Sequence, residues 1–268
     1  MALNDDIALK NLGNGSFSAE IVDSYWIVTG PNGGYLAALL VNAGELHVAK
    51  TSHQLRSFTT HYLTPPKLGQ VEINVQTIRS GRSVDFLRLE MTQGNTPVLL
   101  ATGVWAVGNE TGIPPKLEMP SAPLPESCPT PARLTEKPAR LHEQWDIRHV
   151  DPNLLVKSSP DSDNEMSATW WIRPAEETSM TSALVVAISD ALPPPIFFSS
   201  AEVSLVPTID LTVHLRSELD SVSWDPDTWI LANFVTRHAS QGFLEEDGVL
   251  WHQDGTLLAM SRQLSLAR

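Results

Sequence analysis

Hydrophobic and polar residues follow two different periods along the chain, and the change of period marks its first structural unit. Apolar residues recur at helical spacing from Tyr35 to Lys50, directly after a Gly-rich segment, and predict a buried helix. Strictly alternating segments come next and predict strands. Two of these segments, VDFLRLEMTQ and VLLATGVWAV, form a hairpin across Gly94 and Asn95. The first part of the chain is therefore predicted to be a helix followed by three or four antiparallel strands.

The same order of patterns occurs a second time. TSALVVAISDAL predicts a helix, TIDLTVHLRS and WILANFVTRH predict strands, and GVLWHQDGTLLAMSRQLSLA predicts a closing hairpin. Short matches relate the halves: FTTHYL with LTVHLR, VQTIRS with NFVTRH, and VLLATGVWAV with TLLAMSRQLSL. Either half alone would leave open sheet edges that a second copy can pair. The sequence thus predicts an α+β fold in which two antiparallel sheets, each wrapped around a central helix, are fused as a tandem repeat.

Proline separates the two halves. The segment IPPKLEMPSAPLPESCPTPARLTEKP contains too many prolines for a regular helix or a central strand, and it predicts a semi-extended linker. We therefore divide the chain into an N-terminal unit (1–110), a proline-rich linker (111–140) and a C-terminal unit (141–268).

Composition narrows the class of protein. Of 268 residues, 42% are hydrophobic and 18% are charged, which is typical of a globular protein. A net charge of −13 argues against a nucleic-acid partner, and no apolar stretch approaches the length of a membrane span. Because the start MALNDDIALK lacks the features of a secretory signal, we expect a cytoplasmic protein. The lone Cys128, in a Pro/Ser-rich stretch, is interpreted as an incidental surface thiol.

Four segments carry a specific resemblance to a known family. NGGYLAALL leads into the first helix, and in the second half one helix ends in Ser189-Asp190, a strand begins Thr208-Ile209-Asp210, and a final strand carries Gln263 after QDGTLLAMS. In these segments the chain resembles the acyl-CoA thioesterase II (TesB-like) family and its thioesterase-like relatives. The resemblance covers nearly the whole chain and is weakest in the linker. It implies a double hotdog fold and hydrolysis of an acyl thioester.

The resemblance also implies a catalytic set. By motif, Asp190, Thr208 and Gln263 are expected to act together on a water, without a covalent intermediate. The chemistry of the residues agrees, because a carboxylate can accept a proton from the water while a hydroxyl and an amide fix its position. Asp190 follows a largely apolar helix, so partial burial should raise its pKa. Neither a cofactor nor a metal is expected.

Further residues are candidates for substrate binding. Asn32, Gly33 and Gly34 begin the first helix, where free N–H groups can face an anion or a carbonyl oxygen, or where Asn32 can simply cap the helix. An acidic protein needs a local basic patch for anionic coenzyme A, and its candidates are Arg79, Arg82 and Arg237.

Asn42 holds the place in the first helix that Asp190 holds in the second, by the internal match. Since an amide is a poor base, we infer that the first half has no complete catalytic set of its own.

Other interpretations stay open at this point. Taken singly, Asp190 could end a helix before Pro193, Thr208 could be an ordinary strand residue, and Gln263 could bind a neighbouring backbone group. The fold could also serve a lyase, isomerase or cyclase acting on a metabolite not bound to coenzyme A, or a non-catalytic acyl-binding module. The expected partners are an acyl-CoA or related acyl thioester and further copies of the chain in a homo-oligomer, but no nucleic acid or membrane.

Overall fold

The computed structural model describes residues 2–28, 30–50, 52–109, 117–131, 139–151, 166–199 and 203–268. Within these ranges twelve antiparallel strands form one continuous sheet. In chain order they are β1 (Lys10–Gly13), β2 (Ser16–Ile21), β3 (Gln54–Tyr62), β4 (Gly69–Ser80), β5 (Val84–Gln93), β6 (Thr96–Ala106), β7 (Trp145–His149), β8 (Ser167–Pro174), β9 (Thr208–Leu215), β10 (Ile230–Ser240), β11 (Phe243–His252) and β12 (Leu257–Leu266).

The order of the strands shows that the chain consists of two equivalent halves fused in tandem. The sheet runs β1-β2-β4-β5-β6-β3-β9-β12-β11-β10-β8-β7, so each half contributes six strands in the same arrangement. The halves join where β3 pairs with β9, and the hydroxyls of Thr59 and Thr212 are 2.9 Å apart across this joint. The predicted α+β repeat is confirmed, with its two sheets joined edge to edge.

Four α-helices accompany the sheet in the described part of the chain: α1 (Leu3–Asp6), α2 (Gly33–Val48), α3 (Ser182–Ile188) and α4 (Ile196–Ser199). The predicted central helices are α2 and α3, which pack against each other. The side chain of Asn32 caps α2 by accepting a hydrogen bond from the backbone N–H of Tyr35 at 3.0 Å. Most of both helices is buried, so they form the centre of the main core.

β-Bulges confirm the internal duplication and correct its details. Each half has three residues that interrupt the pairing register at equivalent places: Arg56, Ile78 and Val98 in the first half, and Ile209, Arg237 and Leu258 in the second. These bulges support the match of FTTHYL with LTVHLR. The match of VQTIRS with NFVTRH was wrong by one residue and that of VLLATGVWAV with TLLAMSRQLSL by two, because similar letters do not reveal where a strand bulges.

Two predictions about the periphery need correction. The prediction of three or four strands per half missed β1, β2, β7 and β8, although Asn14 and Gly15, with φ of 53° and 77°, form a turn that joins β1 to β2. Cys128 is not a surface thiol, because it is 6% exposed and packs with Trp171, Trp229 and Trp251. That part of the linker covers one face of the sheet; residues 110–116 and 132–138 lie outside the described residues.

Candidate active site

Asp190 lies in the turn after α3, where that helix meets the beginning of α2. The two backbones touch here, since a Cβ added to Gly34 would lie 2.5 Å from the carbonyl oxygen of Ala187. Only glycine allows this approach. The consequence is that the Asp190 carboxyl group stands at the N-terminal end of a helix other than its own.

Three donors from that helix end hold the Asp190 carboxyl group. Asn32 Nδ2 donates to Oδ2 at 3.0 Å and the backbone N–H of Gly34 donates to the same oxygen at 2.8 Å, while Gly33 also contributes a backbone hydrogen bond. Burial raises the pKa of Asp190 to about 6, although these hydrogen bonds act in the opposite direction. The carboxylate is therefore ionised near neutral pH and more basic than an exposed one.

The beginning of α2 combines both roles that its sequence suggested. Asn32 caps the helix with its oxygen and uses its amide nitrogen to bind Asp190, at Oδ2 and, at 2.7 Å, at the backbone oxygen. The N–H groups of Gly33 and Gly34 do face an anion, but this anion is the carboxylate of Asp190. The positive end of the helix dipole stabilises it there.

Tyr62 is a neighbour of this site that sequence reasoning missed. Its hydroxyl donates to the backbone oxygen of Gly33 at 3.0 Å. Burial raises the pKa of Tyr62 well above its usual value, and Asp190 and Asp210 add to the effect. A side chain from the first half therefore borders the Asp190 carboxyl group, between it and the beginning of β9.

Gln263 lies on β12 with its side chain buried, and its partner is a second residue that the sequence did not single out. Gln263 Nε2 donates to Oε1 of Glu246 on β11 at 3.0 Å. Burial and then the nearby Asp190 raise the pKa of Glu246 to about 8. Glu246 therefore binds Gln263 directly and lies close enough to Asp190 for the charge of Asp190 to raise its pKa.

Thr208 reaches the same face of the sheet because of a bulge. The extra residue Ile209 shifts the register so that Thr208 stands opposite Ser265, two positions beyond Gln263 on β12. Residues opposite each other on paired strands project to one face. The Thr208 hydroxyl makes no hydrogen bond to a described residue, so it is available to a ligand.

The bulges identify the counterparts of these residues in the first half. Four polar residues of the second half face the same side of the sheet: Thr208, Glu246, Gln263 and Ser265. Their counterparts are Leu55, Leu87, Gly103 and Trp105. A Cβ added to Gly103 would lie 2.3 Å from the Trp105 ring, so that ring fills the space above the strand.

Asn42, the predicted counterpart of Asp190, has a different environment. It lies within α2, and its amide donates to the backbone oxygen of Ile7 at 2.8 Å. In the first half this side chain therefore stabilises the fold by binding the backbone.

The three arginines proposed to bind phosphate do not come together. Arg79 and Arg82 are exposed beside the turn between β4 and β5, which Lys50 ties to the C-terminal end of α2. Asp190 is at the other end of this helix, about 24 Å away at 1.5 Å per residue. Arg237 forms an ion pair with Asp247 at 3.0 Å. Their role in substrate binding stays a prediction.

A second group of arginines occupies a surface cleft of about 430 Å³. Arg148 and Arg173 both stack on the Trp229 ring, with 5.4 and 4.4 Å from guanidinium carbon to ring centroid. Both also pair with Asp146, and the acidic Asp227 lines the cleft, so their charges are largely compensated. No residue proposed for catalysis lines this cleft.

Neither a metal-binding cluster nor a membrane-spanning helix is present in the described ranges. No cluster of three or more His, Cys, Asp or Glu side chains is placed there to bind a metal ion. None of the helices described is long and apolar enough to cross a membrane.

Family models match both halves of the chain. Residues 125–267 match the model of the acyl-CoA thioesterase C-terminal domain, and residues 22–106 match that of the acyl-CoA thioesterase N-terminal domain. A comparison with curated proteins found no match.

Solved structures resemble the chain over its full length. A conserved protein of unknown function with a hot dog fold from Alicyclobacillus acidocaldarius is 23% identical, with 99% of this chain and 97% of that one covered and a TM-score of 0.87. The acyl-CoA thioesterase II TesB2 from Mycobacterium marinum is 18% identical, covers 100% and 98%, and has a TM-score of 0.78. The tesB protein from Mycobacterium avium subs paratuberculosis is 17% identical, covers 99% and 98%, and has a TM-score of 0.80. At these identities the likeness shows the fold, and the predicted hotdog fold is confirmed.

Proposed function

Because this chain belongs to the acyl-CoA thioesterase family, we propose that it hydrolyses an acyl-CoA or a related acyl thioester. The observation that carries the proposal is the Asp190 carboxyl group, held at the beginning of α2 next to the buried pair of Glu246 and Gln263. In this proposal Asp190 is the base, and Thr208 and Gln263 position the water.

Asp190 has the properties that this base needs. A thioester carbonyl is already electrophilic, so its hydrolysis depends mainly on an oriented water and on removal of a proton from that water. A carboxylate with a pKa of about 6 is ionised at neutral pH and accepts a proton more readily than an exposed aspartate. The hydrogen bonds from Asn32 Nδ2 and from the N–H of Gly34 both reach Oδ2. A carboxylate oxygen has two lone pairs, so Oδ1 can accept from the water.

Gln263 and Thr208 supply complementary hydrogen bonds. Since Nε2 of Gln263 is bound to Glu246, its Oε1 remains as an acceptor, and this atom has no partner among the described residues. A water that donates one proton to Asp190 and the other to Gln263 directs its lone pair at the carbonyl carbon. The Thr208 hydroxyl can donate to the water or to the developing oxyanion.

The reaction balances without a covalent intermediate. The water oxygen bonds to the carbonyl carbon while Asp190 takes one proton, and collapse of the tetrahedral intermediate then breaks the carbon–sulfur bond. The thiolate takes the proton from Asp190 and leaves as the free thiol, which restores the Asp190 carboxylate. The acyl group leaves as a carboxylic acid, which loses its proton to solvent. One chain would contain one such site, in its second half.

A panel of acyl-CoA esters of increasing chain length, assayed for free thiol, tests the proposal. We expect release that saturates with substrate for at least one chain length. Absence of release across the panel would reject the proposal and favour the lyase, isomerase or cyclase interpretation. Binding of the esters by calorimetry without turnover would instead favour an acyl-binding module.

Thr208 offers a graded test of the proposed water site. Thr208→Val keeps the shape and removes the hydroxyl, so we expect a loss of about tenfold or more in kcat, as for one hydrogen bond to a reacting group. Thr208→Ser keeps the hydroxyl and should retain most of the activity. Equal activity of the two variants would exclude Thr208 from the reaction.

A further inference from the structure

Glu246 is a buried carboxyl group that the proposed reaction does not yet use. It is 4% exposed, on the middle of β11, and its Oε1 accepts a hydrogen bond from Gln263. Its other oxygen, Oε2, has no partner among the described residues. A buried carboxyl group in this state is unfavourable for folding.

The first half shows what the fold uses at this position when no site is needed. Leu87 is the counterpart of Glu246, and it is buried to the same degree. Leucine has no polar atom to desolvate, so the position itself does not require a carboxyl group. What the glutamate adds in the second half is its hydrogen bond with Gln263.

The hydrogen bond fixes which end of the Gln263 amide faces the interior. An amide carries donors on nitrogen and an acceptor on oxygen, and a flip of the group exchanges them. Because Glu246 binds Nε2, the Oε1 atom of Gln263 points away from Glu246, and it has no partner in the described part of the chain although the residue is 4% exposed. An unpaired acceptor at this depth is suited to a donor from outside the protein, such as a water.

We propose that Glu246 is a positioning residue, which holds the Gln263 amide so that its oxygen accepts a hydrogen bond from the attacking water. This inference rests on the proposed function. The electrostatics are consistent with it: the pKa of Glu246 is raised to about 8 by burial and by Asp190, with a smaller effect of Asp247, so Glu246 is mostly protonated at neutral pH. A neutral Glu246 still accepts at Oε1 and does not repel the Asp190 carboxylate.

A double-mutant cycle tests whether Glu246 acts through Gln263. We expect Glu246→Leu to lower kcat by roughly tenfold to a hundredfold with KM changed less than about twofold, and Gln263→Leu to do the same. The double variant should be no worse than Gln263→Leu alone. Glu246→Gln keeps a neutral acceptor and should restore kcat to within about threefold of the wild type.

The matched control is Glu245→Leu, which changes the exposed neighbouring glutamate and should leave kcat unaltered. Full activity of Glu246→Leu would overturn the proposal. So would multiplied losses in the double variant, because they would mean that the two residues act independently.

A second measurement does not depend on turnover. The side-chain amide NMR signal of Gln263, assigned by its absence in Gln263→Leu, should move with pH as Glu246 ionises above neutral pH. It should lose this pH response in Glu246→Gln but keep it in Glu245→Leu. A signal that ignores Glu246 would overturn the proposal even in an active enzyme. If wild-type protein released no thiol while the signal responded, the proposed function would fail and the control of Gln263 by Glu246 would stand.

Discussion

The two halves of the sheet have the same arrangement of strands. At four equivalent positions, however, the first half has apolar residues and the second half has polar ones. In the first half these positions hold Leu55, Leu87, Gly103 and Trp105. In the second half they hold Thr208, Glu246, Gln263 and Ser265. In the first set the Trp105 ring fills the space next to Gly103. In the second set Glu246, Gln263 and Ser265 each bring a buried oxygen that has no partner among the described residues. At these positions the first copy thus packs the core with apolar groups, and the second copy places polar groups there.

The central helices differ in the same sense. α2 continues past Asn42 to Val48, and Asn42 is bound to a backbone oxygen. α3 ends at Ile188, so Asp190 leaves the helix and turns towards the beginning of α2. Asp190 and Asn42 therefore differ in their surroundings because α3 ends before Asp190, whereas α2 continues past Asn42. The fold of the two halves is otherwise the same.

The largest expected effect comes from Asp190→Asn, which removes the carboxylate and keeps its shape. We expect kcat to fall by about 10² to 10⁴, as for loss of a general base, with the thermal midpoint unchanged or higher because a buried charge is gone. Thiol release and thermal unfolding measure the two effects. Near-full activity would exclude Asp190 as the base.

Asp85→Asn in the first half is the matched control for that change. Burial alone would raise the pKa of Asp85, but hydrogen bonds from Lys50, Ser80 and His53 hold it at about 2. A carboxyl group whose pKa is lowered by folding stabilises the protein above its unfolded pKa, and this is lost as pH falls through about 2. Asp85→Asn should therefore lower the free energy of unfolding by about 2 kcal/mol and leave kcat unchanged.

Gly103→Gln copies the residue of the second half into the first. Since a Cβ at this position already meets the Trp105 ring at 2.3 Å, the longer side chain must displace that ring. We expect a loss of stability of about 3 kcal/mol, measured by denaturant unfolding, with no second active site. A stable Gly103→Gln protein would mean that packing against the Trp105 ring is not what excludes a polar side chain from this position of the first half.

The pH dependence distinguishes Asp190 from Glu246, the two carboxyl groups of this site whose pKa values are raised. A base must be ionised, so kcat/KM should fall tenfold per pH unit below about 6, the pKa of Asp190. Glu246 is neutral through this range, Tyr62 is neutral as well, and the other partners of Asp190 are uncharged amide and N–H groups. The acid limb should therefore persist in Glu246→Gln. An acid limb that disappears in this variant would assign the base to Glu246.

The smallest expected effects concern the arginines of the two halves. If Arg79, Arg82 or Arg237 binds the phosphates of coenzyme A, its change to Ala should raise KM for acyl-CoA by roughly threefold to tenfold, with little change in kcat. KM for a thioester of N-acetylcysteamine, which lacks the phosphates, should not change. An equal rise for both substrates would exclude phosphate recognition by that residue.

The sequence predicted most of the fold because period and order are local signals that occur twice. Helical spacing identified α2 and α3, and alternation identified the long strands. The edge strand β1 was missed because it is exposed at every position and has no alternating burial. The other edge strand, β7, does alternate but is only five residues long. The register between the halves was shifted at Ile78 and Val98, since a bulge changes geometry without a signature in the residue type.

The candidate site was only partly predictable for a related reason. Asp190, Thr208 and Gln263 were proposed by motif and stay a prediction, whereas Glu246 and Tyr62 become neighbours of Asp190 only through pairing and packing far along the chain. A signal for Glu246 does exist in the sequence: it is the inward-facing residue of an alternating strand, where a carboxyl group is unexpected. The closing hairpin predicted from the sequence began at Gly248, so Glu246 lay outside the predicted strand and its inward position was missed.

A crystal structure with a thioether analogue of an acyl-CoA, which cannot be hydrolysed, tests the central claim most directly. The claim predicts a water bound by both Asp190 and Gln263, about 3.5 Å or less from the carbon that replaces the carbonyl. It also predicts that the first half, with Trp105 in place, holds no second ligand. A ligand bound only at the cleft of Arg148, Arg173 and Trp229, or an Asp190 carboxyl group that no water or ligand reaches, would contradict the account.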